Sequence, residues 1–144
     1  MLNSLIDKIH SEGALSGIHC CGNTDWALLA ETGTDIINFD AYSYVNELSL
    51  YPGQIKMFLK RGGMLAWGIV PTSNLASKET PQTLFNRLSS EIEKLSQKGI
   101  PRDLLIKHSL ITPSCGMGTL SPALADEIMN KLVMLSRLAK DNLS

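Results

Sequence analysis

Three residues combine ligand or nucleophile chemistry with informative spacing: His19, Cys21 and Cys115. The first two lie in the run IHCCGN and the third in TPSCGMG. Side chains alternate along an extended strand, so a His-x-Cys pair sends both ligands to one side while Cys20 points to the other. One imidazole and two thiolates suit zinc, and three protein ligands with a fourth position open is the arrangement of catalytic zinc sites. Asp40 is the candidate fourth ligand, or a neighbouring group that orients His19. Cys20 reads as core packing, because an unpaired cysteine behaves as a small hydrophobe.

These residues meet only if the elements carrying them bring them together. Leu2 to Glu12 places Leu2, Leu5, Ile6 and Ile9 at helical spacing, with Gly13 to end the helix. Ala14 to Cys21 is a strand-sized run, and Asn23 or Thr24 can cap a helix through Trp26, Leu28 and Leu29 that stops at Gly33. Asp35 to Asp40 (DIINFD) is a second strand, and Pro52 opens a helix that ends at Gly62 and Gly63. Met64 to Val70 (MLAWGIV) is almost continuously apolar, as a strand buried on both faces should be. Thr80 and Pro81 begin a helix running to Gly99, Leu104 to Ile111 (LLIKHSLI) is the fourth strand, and Ser121 and Pro122 open the closing helix.

The order is one helix followed by four β-loop-α units within a single domain, residues 1–144. Such alternation implies a parallel sheet with right-handed crossovers, either a small open α/β sheet or half of a TIM (β/α)8 barrel. In both, ligands bind beyond the C-terminal ends of the strands. This chain places His19, Cys20 and Cys21 there, then Asp40, Tyr42 and Tyr44, then Thr72 and Ser73, then Ser114 and Cys115. Tyr42, Trp67 and Ser73 are the candidate substrate contacts, although Trp67 suits a core position better and Tyr42 can equally be loop packing. His10 reads as a surface residue at a helix end and His108 as a strand residue.

Composition narrows the function classes. The chain has a net charge of -1, with 44% apolar and 19% charged residues and no basic block, so nucleic acid is not indicated as a partner. No apolar run approaches the ~18 residues of a membrane span. The N-terminal segment carries acidic residues and reads as an amphipathic helix rather than a signal peptide, which makes the reducing cytoplasm the default compartment. Three cysteines, an odd number, fit metal or catalytic use better than a disulfide framework.

At IHCCGN, INFDAYSY and TPSCGMG the sequence resembles the superfamily that joins cobalamin-independent methionine synthase, the methylcobalamin:coenzyme M methyltransferases and uroporphyrinogen decarboxylase. The resemblance spans most of the chain and corresponds to the second half of that family's barrel. It implies that His19, Cys21 and Cys115 hold Zn2+, and that Asp40 stands where the methionine synthase branch has a Glu ligand. FDAYSY is closer to the corrinoid-linked and decarboxylase-like members, but the decarboxylase uses no metal, so the retained His and Cys residues argue against that activity. The implied function is zinc activation of a small thiol substrate for methyl transfer from folate or a methylated corrinoid protein. Complete barrels are about twice this length, so the chain is a half-barrel with two open sheet edges. A homodimer, or pairing with a chain that supplies the other half, is expected. The alternative is a non-catalytic zinc-binding or structural half-barrel module that pairs with a partner protein. A redox protein using Cys20 and Cys21 is weaker, because adjacent cysteines form a strained bridge.

Overall fold

The computed structural model describes residues 1–143. Its elements are α1 (Leu2–Ser11), β1 (Gly17–Cys20), α2 (Trp26–Glu31), β2 (Ile36–Phe39), α3 (Val45–Leu48), α4 (Pro52–Lys60), β3 (Met64–Val70), α5 (Pro81–Gln97), α6 (Arg102–Lys107), β4 (Ser109–Pro113) and α7 (Pro122–Leu143). A 3-10 turn, Ala76–Lys78, lies between β3 and α5. The four strands form one parallel sheet in the order β1-β2-β3-β4, an α/β fold of four consecutive β-loop-α units.

Side-chain caps fix the starts of α2 and α5. Thr80 caps α5, its hydroxyl accepting from the Thr83 amide while Pro81 fills the first turn. Several boundaries differ from the sequence reading: β1 covers only Gly17–Cys20 of the run Ala14 to Cys21, and β2 only Ile36–Phe39 of DIINFD. The cap of α2 is Asp25, whose carboxylate accepts from the Leu28 amide at 3.1 Å, rather than Asn23 or Thr24. LLIKHSLI is not one strand: Leu104 to Lys107 belong to α6, and β4 starts only at Ser109. Pro101 at the cap position and Asp103 in the first turn favour a short helix there. Leu105 turns into the core, which an extended chain would not achieve together with Leu104.

The sheet's two faces are unlike. Paired residues in a parallel ladder share a face, so Ile37 and Leu65, and Phe39 and Trp67, stand together against the helices. All four are fully buried, alongside Trp26, Phe58, Leu84, Leu88, Ile92, Ile128 and Leu135. The other face carries His19, Asn38, Ala66, Gly68 and Thr112, again in register across the ladder. Small groups on β3 let this face curl inward. Asn38 of β2 reaches across Ala66 to donate to the Thr112 hydroxyl of β4 at 2.8 Å, a chord spanning two strand spacings of about 4.8 Å each.

Curvature leaves the sheet open at β1 and β4. Beside β4 a groove of about 480 Å3 runs between sheet and helices, lined mainly by apolar groups including Ile106, Leu110 and Ile111. Leu110 is 40% exposed on the concave face. Ala66 and Val70 of β3 are buried, and polar Asn38 and Thr112 flank Ala66 on the concave face. No helix among the described residues is long and apolar enough to cross a membrane.

Candidate metal centre

β1 and β4 are the two edges of the sheet, three strand spacings apart, yet their ends converge. One ligand atom from each of His19, Cys21 and Cys115 lies within 4.8 Å of the others, and all three side chains are exposed. This cluster could hold one metal ion. Imidazole nitrogen and two thiolate sulfurs match the donor set preferred by zinc, so the residues present fit that ion.

The segment after β4 is what closes the gap. The Ser114 amide donates to the Val70 carbonyl at 2.8 Å, and its hydroxyl, in a residue 5% exposed, accepts from the Thr72 amide at 3.2 Å. These bonds fold the chain over the end of β3 and leave Cys115 beside Cys21. Gly68 permits the crossing, since a Cβ there would lie 2.8 Å from the Ser114 Cα and 2.5 Å from the Phe39 carbonyl oxygen. On the opposite edge, Cys20 packs against the core with its thiol toward the Gly22 carbonyl, so β1 alternation separates it from the cluster.

His19 is held as well as placed. Its Nδ1 lies 2.5 Å from Asn38 Oδ1, while Asn38 Nδ2 donates to the Ala66 carbonyl at 2.9 Å and to Thr112 Oγ1 at 2.8 Å. Asp40 does not take this role. Its Oδ1 accepts from the Ser43 amide at 2.9 Å, fixing the turn after β2, and its carboxylate is not part of the cluster. Between the thiols, charge is unfavourable: the neighbouring Cys115 thiol, by hydrogen bond and by charge, pushes Cys21 above the ordinary cysteine pKa. A cation between them would reverse that effect.

A pocket of about 320 Å3 adjoins the cluster, its wall including Cys21, Asp40, Tyr42, Ser73, Ser114 and Cys115. Of the candidate substrate contacts, Tyr42 and Ser73 line this pocket. Tyr42 is fixed by a hydrogen bond to Glu79 at 2.7 Å, which raises its pKa, and by Arg87 stacked 4.2 Å from its ring centre. Trp67 is not brought to the site. It lies on the helix-facing side of β3, fully buried, with Nε1 donating to Ser109 Oγ at 2.7 Å and its ring 5.3 Å from that of Phe39. The sequence reading missed Asn38, and it placed Thr112 and Ser114 at the end of the fourth strand without giving either a role. The available signal was a polar Asn inside the apolar strand IINF, in register with His19.

The other two histidines lie elsewhere. His10 pairs with Asp35 at 2.7 Å and His108 Nδ1 meets the Gly63 carbonyl at 3.0 Å, both below the N-terminal ends of the strands.

Fold and cluster together define a parallel (β/α) half-barrel with a His-Cys-Cys group at the C-terminal ends of its strands. The fold is similar to a solved structure of a B12-independent methionine synthase from Shewanella sp. W3-18-1, in complex with selenomethionine. The match has a TM-score of 0.59 at 15% identity and covers 98% of this chain and 46% of that one. This chain therefore has the fold of about half of that barrel enzyme. No family model matches the sequence, and no curated protein does.

Proposed function

We propose that the chain is the metal-binding half of a zinc-dependent methyltransferase that activates a small thiol. The observation that carries this reading is the convergence of His19, Cys21 and Cys115 within 4.8 Å at the strand ends of a methionine synthase-like half-barrel. Zinc, when bound, supplies Lewis acidity that makes a thiol nucleophilic near neutral pH. The chain's own residues do the rest. His19 and the two thiolates hold the ion, and the pocket bounded by Tyr42, Ser73 and Asp40 takes the body of the thiol. The methyl donor, a folate or a methylated corrinoid protein, must approach from the concave side, which the open edges leave uncovered.

Those edges also bear on assembly. Four strands do not close a barrel, and unpaired edges invite further strands. The missing half comes from a second copy in a homodimer or from other polypeptide that completes the barrel. A reducing cytoplasm suits three free cysteines.

The exposed edge and the groove beside β4 also favour a second reading, a non-catalytic zinc or structural module that docks on a partner. Metal content and thiol competition separate the two. Roughly one zinc per chain, with a small thiol altering the spectrum of the cobalt-substituted protein, supports the enzyme. Metal that no thiol reaches supports the zinc module, and a metal-free chain refutes the enzyme and favours the structural module.

A further inference from the structure

The geometry points to Asn38 as a positioning residue that fixes the tautomer of His19, so that Nε2 is presented to a metal before any metal arrives. The inference deepens the zinc reading and rests on His19 being a ligand. Asn38's orientation follows from its partners. The Ala66 carbonyl can only accept, so the amide atom facing it, at 2.9 Å, must be Nδ2, and the second Nδ2 hydrogen goes to Thr112 Oγ1. Oδ1 is left facing His19 Nδ1 at 2.5 Å. An amide oxygen has no proton to give, so Nδ1 must carry one. A neutral imidazole has a single N–H, and its lone pair is then on Nε2. Free histidine prefers the opposite tautomer, so the bond to Asn38 selects against the intrinsic bias.

The same amide ties all four strands. His19 is in β1, Asn38 in β2, Ala66 in β3 and Thr112 in β4, and Thr112 precedes Cys115 by three residues. Asn38 is thus the common reference for ligands arriving from opposite edges of the sheet.

The test is the ring tautomer of His19 in the metal-free full chain, read from long-range 1H–15N correlation spectra at alkaline pH. A His19→Gln variant identifies the signal among the three histidines. The expected result is a protonated Nδ1 and a bare Nε2. Asn38→Ala should shift the ring toward the other tautomer and weaken zinc binding about 10–100-fold in chelator competition. Asn38→Asp keeps an acceptor against Nδ1, so it should retain the tautomer and recover part of the affinity. Protonated Nε2 in the wild-type chain overturns the inference, as does an unchanged tautomer in folded Asn38→Ala. Should Asn38→Ala not fold, the wild-type spectrum and Asn38→Asp decide. The predicted tautomer in a chain that binds no zinc would remove the zinc reading and leave the positioning role standing.

Discussion

Replacing Gly68 with Ala should both destabilise the fold and loosen the metal cluster. The added Cβ would stand 2.5 Å from the Phe39 carbonyl oxygen, 2.8 Å from the Ser114 Cα and 3.1 Å from the Pro113 carbonyl oxygen. Carbon contacts are comfortable only near about 3.5 Å, so backbone on two sides must retreat by the better part of an ångström. All three are backbone atoms, with no flexible side chain to swing away. Overpacking of this kind costs about 1–3 kcal/mol. Restricting the unfolded chain by removing a glycine returns about 0.4–1 kcal/mol, which leaves a net loss of roughly 1–2 kcal/mol. The retreat moves Ser114 and, one residue later, Cys115. Metal ligands tolerate errors of only about 0.2 Å, so zinc affinity should fall at least ~10-fold. Urea unfolding of the metal-free chain and zinc titration against a chromophoric chelator measure the two effects. Gly53→Ala is the control of opposite sign: nothing lies within 4 Å of its Cβ position, it lies in α4, and it should stabilise by ~0.5–1 kcal/mol. Wild-type stability and wild-type zinc affinity in Gly68→Ala would refute the argument that this crossing places Cys115.

Cys21→Ala or Cys115→Ala should lose most of the bound zinc, whereas Cys20→Ala should keep it, as metal analysis after dialysis would show; equal retention in all three would exclude this ligand set. Asp35 is held at a pKa of about 2, below the ordinary 3.8, first by the Ser16 amide and then by His10. Its stabilisation is therefore present above pH ~4 and disappears as pH falls from there toward 2, so Asp35→Asn should cost about 1–2 kcal/mol at neutral pH, discounted for partial exposure, and nearly nothing near pH 2. A gap that stays constant across that range in acid unfolding curves would contradict the assignment. On the proposed reading the chain by itself should give little methyl transfer from folate or methylcobalamin donors, because its four strands make only about half of a barrel, and sustained turnover without a partner would show otherwise. Sedimentation equilibrium at micromolar concentration should find a dimer, and a compact monomer that binds no hydrophobic dye would argue against pairing through β1 and β4.

The sequence by itself determined what depends on neighbours along the chain. Period-two alternation separated Cys21 from Cys20, and the structure leaves Cys20 against the core and Cys21 in the cluster. Thr80 and Pro81 marked the start of α5, and the continuous apolar run of MLAWGIV marked β3. Repeated β-loop-α order was enough to expect parallel strands with chemistry at their C-terminal ends. Where short-range signals compete, legibility failed: LLIKHSLI suits a strand in isolation, but the turn at Pro101 and the burial of Leu105 made its first half a helix. Trp67 suited the core better by sequence but stood as a candidate contact until the β2–β3 register placed it beside Phe39. Tertiary structure alone decided how residues at opposite edges of the sheet meet. That meeting depends on curvature, and the curvature on what the concave face holds: Ala66 and Gly68 are small enough for Asn38 to reach Thr112 and for Ser114 to cross β3. Such distances are sums over side-chain volumes from four strands, and no local pattern in the sequence records them.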